Sequence, residues 1–325
     1  MSRRRTLVAS TTLALTAVAV LGFLALRDPE RRALDEEGRR AAPGQFVRLG
    51  DGVTHYDVAG PDSGARVVLV HGFSVPSYIW DSTSTALAAA GFRVARYDVF
   101  GRGWSDRPDA AYSFDLYDRQ LQQLLDSLGW RNPVHLVGLS MGGPVVATFA
   151  GRHLERVRSL TLIDPASGAS PTLPAMFRFP LVGPLLWQGL AVPGMADNQR
   201  TDFVEPAKWP DWPERYRVQQ QFRGFGRALR SALRETERVS FDSIFARAGE
   251  TGVPTLLIWG TEDATVPIAN AEGVRKAIPQ ARFHRIEGAG HLPHMERSGV
   301  VNPLLISFLD STGGAARDSL PRSPR

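Results

Sequence analysis

The chain has 325 residues and no cysteine, which excludes disulfide bonds, thiolate metal sites and a cysteine nucleophile. Its formal net charge of +5 lies at the two ends, because residues 1–40 carry +3 and residues 311–325 carry +2. The neutral body between them argues against a nucleic-acid groove, so no nucleic-acid partner is expected.

The first segment is an uncharged run. Residues 7–26 follow Arg3, Arg4 and Arg5 and contain no charged side chain. Because twenty such residues can cross a bilayer as a helix, residues 1–26 are predicted to be a single-pass membrane anchor, with the rest of the chain outside the cytoplasm. A cleaved signal segment, and hence a secreted protein, is the alternative. Residues 27–44, charged and then containing Ala, Pro and Gly, are predicted to be a linker.

Short apolar runs alternate with helix-like stretches from residue 45 onward. Residues 46–49 and 53–59 flank Asp51-Gly52, which predicts a hairpin. Further strands are predicted at 66–70, 92–97, 134–137, 157–163, 254–259 and 282–286. This alternation predicts an α/β fold with a mostly parallel central sheet flanked by helices, formed by residues 45–166 and 253–310.

The alternation stops between residues 167 and 252. This segment is rich in Pro, Trp, Phe and Arg and predicts several helices with irregular joints. An insertion of this length can cover the mouth of a pocket as a helical cap, and its aromatic side chains either line that pocket or pack the cap onto the core. The tail, residues 311–325, is poor in apolar residues and is predicted to be disordered.

A nucleophile-elbow pattern, G-x-S-x-G, occupies residues 138–142 with Ser140 at its centre. An apolar run suited to a buried strand precedes it, and a helix-like stretch follows it. A serine on so sharp a turn needs neighbours without a Cβ, which Gly138 and Gly142 provide. The turn also places Ser140 at a helix N-terminus, which favours the negative charge that develops in acyl transfer.

The residues that such a serine needs follow in the expected chain order. Asp263 and His291 each come just after a predicted strand, so both are expected at the edge of the sheet where Ser140 lies. His291 is the predicted base and Asp263 the carboxylate that orients it, which completes a catalytic set of Ser140, Asp263 and His291. His294 is the alternative base and Asp164 the alternative acid.

Two backbone N–H groups are predicted to form an oxyanion hole. One belongs to Met141, directly after the nucleophile, and the other to Phe73, in the loop after the strand that ends at Val70. His71, in the same loop, is expected to hold the loop by hydrogen bonds. This chemistry requires no cofactor and no metal.

Taken together, the segments HGFSVPSYIW, YDVFGRGWSDRP, GLSMGG, GTEDATVP and GAGHLPHME resemble the α/β-hydrolase superfamily over about residues 46–310. Within it the chain is similar to lidded serine esterases, to monoacylglycerol lipases and to the meta-cleavage-product C–C hydrolases. The resemblance implies the same site: Ser140, Asp263 and His291, with Phe73 and Met141 as oxyanion donors. The segment HGFSVPS departs from the H-G-x-G-P-G usual in the C–C hydrolases. Ser140 departs from the elbow aspartate of epoxide hydrolases and haloalkane dehalogenases.

These features predict a serine hydrolase that cleaves carboxylic esters with an apolar acyl or alkyl group, and the expected partner is a small-molecule ester or lipid. A C–C hydrolase of ring-fission products is the first alternative, and cofactor-free perhydrolysis is a further one. A non-catalytic homologue that binds a ligand in the same pocket is the alternative from a different functional class.

Overall fold

The computed structural model describes residues 2–169 and 172–313. In this part of the chain eight strands form one sheet in the order β1-β2-β4-β3-β5-β6-β7-β8. Antiparallel pairing joins β1 to β2 and β2 to β4, and every other neighbouring pair is parallel. The strands are β1 Gln45–Leu49, β2 Gly52–Ala59, β3 Arg66–Val70, β4 Arg93–Tyr97, β5 Val134–Leu139, β6 Val157–Ile163, β7 Thr255–Gly260 and β8 Arg282–Ile286.

Apolar residues on both faces of the sheet explain why helices cover both. The central strands β5 and β7 are buried along their full length, as expected for parallel strands between two helical layers. Buried side chains form one apolar cluster on each face. The prediction of an α/β fold with a mostly parallel sheet is therefore confirmed. The α-helices outside the segment from β6 to β7 are α1 Ser2–Arg27, α2 Glu36–Arg39, α3 Asp81–Ala89, α4 Phe114–Ser127, α5 Gly142–Arg152, α11 Ala271–Ala277, α12 Pro293–Glu296 and α13 Ser298–Gly313.

The helical insertion lies between β6 and β7. Its α-helices are α6 Val182–Leu186, α7 Met195–Asn198, α8 Trp212–Gln220, α9 Phe225–Thr236 and α10 Phe241–Glu250, joined by short 3-10 and π turns. Helix α10 packs on α5 and α11 at the side of the sheet. Residues before α10 extend over the carboxyl edge of the sheet, where the Gln219 amide donates to the carbonyl of Ser74 at 2.7 Å. Gln219 Oε1 also accepts the Gly103 N–H at 2.9 Å, so the insertion covers the loops that follow β3 and β4.

The predicted membrane anchor at residues 1–26 is wrong. Among the residues that the structure describes, no helix combines the length and the apolar character that crossing a membrane requires. The C-terminal turn of α1 packs on the cap. Leu24 in this turn is 6% exposed, and a Cβ added at Gly189 of the cap would lie 2.9 Å from the Cα of Leu24. The membrane-anchored location inferred from this segment is wrong with it.

The segment after α1 makes specific contacts with the cap. The Glu30 carboxylate accepts the backbone N–H groups of Gly224 at 2.5 Å and Gly226 at 2.6 Å. The backbone of Arg32 exchanges hydrogen bonds with Gln221 and Arg223 at 2.9 Å. The domain boundaries stay predictions, and residues 314–325 of the predicted disordered tail lie outside the described part of the chain.

Candidate active site

Ser140 lies on the sharp turn between β5 and α5. Its backbone has a φ of +51°, a left-handed conformation that is strained for a residue with a side chain. Two of its backbone hydrogen bonds join it to β6 and the loop after β6: the Ser140 N–H donates to Ile163 O at 3.0 Å, and the Ala166 N–H donates to Ser140 O at 2.9 Å. Strand β6 and the loop after it therefore hold the backbone from which the hydroxyl group projects.

The glycines around Ser140 are required by close backbone approach. A Cβ at Gly142 would lie 2.3 Å from the carbonyl oxygen of Val70. A Cβ at Gly138 would lie 2.3 Å from the carbonyl oxygen of Gly142. Since such contacts are far inside van der Waals distance, α5 can begin beside β3 only because both positions lack a side chain.

His291 and Asp263 form a buried pair at the ends of β8 and β7. His291 Nδ1 lies 2.8 Å from Asp263 Oδ2, and the side chains are nearly inaccessible to solvent. The other oxygen, Asp263 Oδ1, accepts the N–H groups of Thr265 and Val266, each at 2.8 Å. Because Asp263 is fully engaged as an acceptor, Nδ1 carries a proton and Nε2 is the nitrogen free to act as a base.

Charges near His291 favour its protonated form. Burial alone would lower the pKa of His291, but the hydrogen bond and charge of Asp263, together with the charge of Asp202, raise it above its ordinary value. An imidazole with a raised pKa is a stronger proton acceptor at neutral pH, as long as it remains in the neutral form.

Ser140 and His291 line the same cavity, which has a volume of about 160 Å³ and also contacts Phe73. Among the hydrogen bonds of the described residues, none joins Ser140 Oγ to the His291 ring. Catalytic hydrogen bonds are often long without substrate and shorten when it binds. The structure thus brings the predicted nucleophile and the His291–Asp263 pair to one cavity, and their catalytic roles remain predictions.

Of the two predicted oxyanion donors, Phe73 lines this cavity, and Met141 directly follows Ser140, which also lines it. Within the described residues, the N–H groups of Phe73 and Met141 donate to no other group. The Phe73 loop is anchored by the buried guanidinium of Arg102, whose Nε donates to the carbonyl of Phe73 at 2.7 Å. Arg102 also donates to Tyr117 Oη at 2.7 Å. Free N–H donors next to the nucleophile suit the stabilisation of a developing oxyanion.

Asp164, the alternative acid, lies beside Asp263 at the end of β6. It is buried with a φ of +42°, and its Oδ1 accepts the Gly260 N–H at 2.8 Å. Burial and the neighbouring charge of Asp263 raise the pKa of Asp164 well above the ordinary value. Through its hydrogen bond to Gly260, Asp164 supports the end of β7 that leads to Asp263, and no hydrogen bond of the described residues links Asp164 to His291.

Two other histidines are held in structural hydrogen bonds. His71 Nδ1 lies 2.9 Å from the carbonyl of Gly72, and His71 Nε2 accepts the Val99 N–H at 3.0 Å. His294, the alternative base, bonds through Nε2 to the carbonyl of Ile79 at 3.1 Å. Burial lowers the pKa of His71 to about 4 and that of His294 to about 3, so both are neutral at pH 7.

Two residues at the site are not predicted from the sequence. Asp202, from the cap, lines the cavity, and its main-chain carbonyl accepts the backbone N–H of His291 at 2.9 Å. Arg102 lies in the GRG segment after β4. The cap has no periodicity from which the position of Asp202 could be predicted, and a buried arginine next to two glycines has the appearance of an ordinary turn.

Known proteins share this architecture. The sequence matches the family model described as "alpha/beta hydrolase fold" over residues 65–298. A 2-hydroxy-6-oxononadienedioate/2-hydroxy-6-oxononatrienedioate hydrolase of Cupriavidus pinatubonensis is 29% identical over 289 residues, covering 83% of this chain and 96% of that protein.

Two solved structures extend the comparison. A variant of the meta-cleavage product hydrolase CumD from Pseudomonas fluorescens superimposes with a TM-score of 0.68 at 24% identity, over 82% of this chain and 98% of that one, which shows a common fold. A bacterial membrane phospholipase A is 25% identical with a TM-score of 0.65, over 96% of this chain and all of that one. The expected resemblance to the α/β-hydrolases and their meta-cleavage-product branch is confirmed. With most of its 325 residues matched by the family model, the chain belongs to the alpha/beta hydrolase family and is a hydrolase of that family.

Proposed function

We propose that the protein is a serine hydrolase that cleaves carboxylic esters with an apolar acyl or alkyl group through an acyl-enzyme. The observation that carries this proposal is that Ser140, on a strained elbow, faces the same cavity as the buried His291–Asp263 pair. A hydroxyl nucleophile, an oriented imidazole and two free backbone donors are the groups that acyl transfer needs.

The first half of the reaction acylates the serine. Ser140 Oγ attacks the ester carbonyl carbon while its proton moves to His291 Nε2, and the carbonyl oxygen becomes an oxyanion bound by the N–H groups of Phe73 and Met141. Asp263 holds the Nδ1 proton and stabilises the imidazolium. The tetrahedral intermediate collapses as the C–O bond breaks, and His291 returns its proton to the departing alcohol.

The second half releases the acid. Water takes the place of the alcohol and gives a proton to His291 Nε2 as it attacks the acyl carbon. The second tetrahedral intermediate breaks its bond to Ser140 Oγ, which recovers the proton from His291. The products are one carboxylic acid and one alcohol, and the enzyme regains its starting state.

The walls of the cavity favour a small apolar group next to the ester. Its apolar lining residues include Phe73, Val75, Ile79, Leu139 and Leu292. A volume of about 160 Å³ is below the roughly 300–1,000 Å³ of sites for drug-sized ligands. We therefore expect acetyl to butyryl esters to react faster than long-chain esters.

A second candidate is hydrolysis of a C–C bond, favoured by the name of the 29% identical relative from Cupriavidus pinatubonensis. A dienedioate substrate carries two carboxylates, which a site would pair with cationic side chains. Among the described residues that line the cavity, none is Lys or Arg, and one, Asp202, is acidic. This charge balance supports the ester proposal over a dicarboxylate substrate.

The test compares Ser140→Ala with Ser82→Ala, a serine exposed on α3. Turnover of p-nitrophenyl butyrate is expected to fall by about 10⁴-fold or more in Ser140→Ala, because the nucleophile is lost, and to stay unchanged in Ser82→Ala. Both variants should unfold cooperatively at temperatures close to the wild type.

Labelling with a fluorophosphonate probe gives an independent readout, because the probe reacts with activated serines. Wild type and Ser82→Ala should be labelled at Ser140, and Ser140→Ala should not. Equal ester turnover in Ser140→Ala and wild type would refute the proposal. Failure of the wild type to label or to turn over any ester would favour the ligand-binding alternative. Loss of the chromophore of a ring-fission dienoate, without ester turnover, would favour the C–C hydrolase.

A further inference from the structure

Asp202 brings a carboxyl group from the cap to the edge of the cavity. It ends a 3-10 turn, Gln199–Asp202, and its main-chain carbonyl accepts the backbone N–H of His291 at 2.9 Å. Its side-chain Oδ1 accepts the Thr265 hydroxyl at 2.7 Å. Asp202, Thr265, His291 and Ser140 all line the same cavity. Asp202 is therefore held at both its main chain and its side chain, next to the space that substrate must occupy.

The surroundings of Asp202 already disfavour negative charge. Burial raises the pKa of its carboxyl group, and the charge of Asp263 acts in the same direction, whereas His291 and the Thr265 hydrogen bond oppose both. Among the described lining residues, His291 is the sole basic group. A substrate carboxylate would enter a small space that already contains Asp202 and has no lysine or arginine to receive it.

We propose that Asp202 is a specificity-determining residue that restricts the active site to uncharged esters by repelling substrates with a carboxylate near the ester group. This inference rests on the proposed ester hydrolysis and names its substrate class. Specificity of this kind arises from an unfavourable interaction with the wrong substrate as much as from contacts with the right one. Like charges a few ångströms apart in a small cavity interact strongly enough to change relative rates by about ten-fold.

The experiment varies the charge of the residue and the charge of the substrate together. The substrates are p-nitrophenyl hydrogen glutarate, which ends in a carboxylate, and p-nitrophenyl glutaramate, in which a carboxamide of the same shape replaces it. The variant is Asp202→Asn, which keeps an acceptor for Thr265. The matched control is Asp211→Asn, at an exposed cap position, which changes the net charge of the protein equally. Ser140→Ala supplies the blank for spontaneous hydrolysis.

We expect the wild type to favour the glutaramate in kcat/KM by about ten-fold or more. Asp202→Asn should reduce this preference about ten-fold, whereas Asp211→Asn should keep it. Taking the ratio of two substrates cancels any effect of Asp202 on His291 itself. An unchanged ratio in Asp202→Asn overturns the proposal.

Binding separates this proposal from the ester proposal. Calorimetric binding of both compounds to Ser140→Ala, and to Ser140→Ala with Asp202→Asn, measures charge discrimination without turnover. Discrimination that depends on Asp202, combined with wild-type turnover no higher than the blank, refutes ester hydrolysis and supports the role of Asp202. Equal relative binding in both backgrounds, with an unchanged kinetic ratio, refutes the role of Asp202 and leaves ester hydrolysis intact.

Discussion

His291 is buried beside two carboxyl groups, and this position decides the pH range in which it can accept a proton. Asp263 bonds to its Nδ1 at 2.8 Å, and Asp202 contributes a second negative charge. Both stabilise the imidazolium against the cost of burial. The pKa of His291 therefore lies above the ordinary value of 6.5.

This raised pKa predicts an acidic limb in the pH dependence of kcat/KM. A general base must be neutral, so activity should fall as the pH drops through the pKa of His291, with a midpoint above 6.5. Removing a negative charge in Asp202→Asn destabilises the imidazolium and should move the midpoint to lower pH. Asp211→Asn should leave it in place. Rates with p-nitrophenyl butyrate from about pH 5 to pH 9, corrected for spontaneous hydrolysis, measure the limb. A wild-type midpoint at or below 6.5, or one that Asp202→Asn does not lower, would contradict this account.

The location of a candidate residue is predictable from the sequence where its chain position relative to a strand carries information. Ser140, Asp263 and His291 each follow a strand, so an alternating pattern was enough to expect them at one sheet edge. Asp202 follows no strand. It reaches the cavity because the cap folds back over the core, and neither charge nor periodicity in the sequence records that path.

The junction of β3, β5 and α5 shows how tightly elements must approach to build the elbow. Helix α5 begins at Gly142, whose Cα lies so near β3 that a methyl group would meet two backbone oxygens, those of Val70 and His71, at 2.3 and 2.7 Å. Backbone atoms of a central strand cannot move aside as a flexible side chain could.

Gly142→Ala is therefore expected to lower the free energy of unfolding by about 2–4 kcal/mol, because α5 must shift away from β3. Gly273→Ala is the matched control in α11, where the nearest atom to a new Cβ is Asp242 Oδ1 at 3.9 Å. That change should stabilise the protein by about 0.5–1 kcal/mol through helix propensity and a less flexible unfolded chain. Urea unfolding of both variants measures the difference. A Gly142→Ala midpoint equal to that of the wild type would show that the elbow tolerates a side chain.

Strand positions were predictable because the strands are short, apolar and β-branched. The predicted and observed bounds of β3 and β6 agree, those of β4 differ by one residue at its first end, and those of β7 are shifted by one residue at both ends. The helices of the insertion were not predictable in this way. Some are as short as four residues, and the 3-10 and π turns that join them interrupt the periodic spacing of apolar residues. The last helix of the insertion, α10, packs on the core helices α5 and α11. The end of the insertion in the sequence therefore does not coincide with a boundary in the packing.

Packing of the N-terminal segment on the cap joins residues that are 194 and 196 positions apart in the sequence. Composition at residues 27–44 indicated a linker, because charged and small residues are common in flexible connections. Composition does not predict individual hydrogen bonds. Asp28 Oδ1 accepts the Gln188 amide at 2.8 Å, and Glu30 binds two N–H groups at the start of α9. A carboxylate at a helix N-terminus satisfies donors that the helix itself cannot.

Replacing Glu30 by alanine should weaken the packing of the N-terminal segment on the start of α9. The N–H groups of Gly224 and Gly226 lose their acceptor, so we expect a loss of about 1–3 kcal/mol in the free energy of unfolding and faster amide exchange at these two residues. Glu36→Ala, at an exposed position on α2, removes the same charge from the same segment and should change neither quantity. Hydrogen exchange followed by mass spectrometry on peptides that contain residues 224–226, together with urea unfolding, provides the measurement. Equal exchange in Glu30→Ala and wild type would mean that Glu30 does not hold the start of α9 in solution.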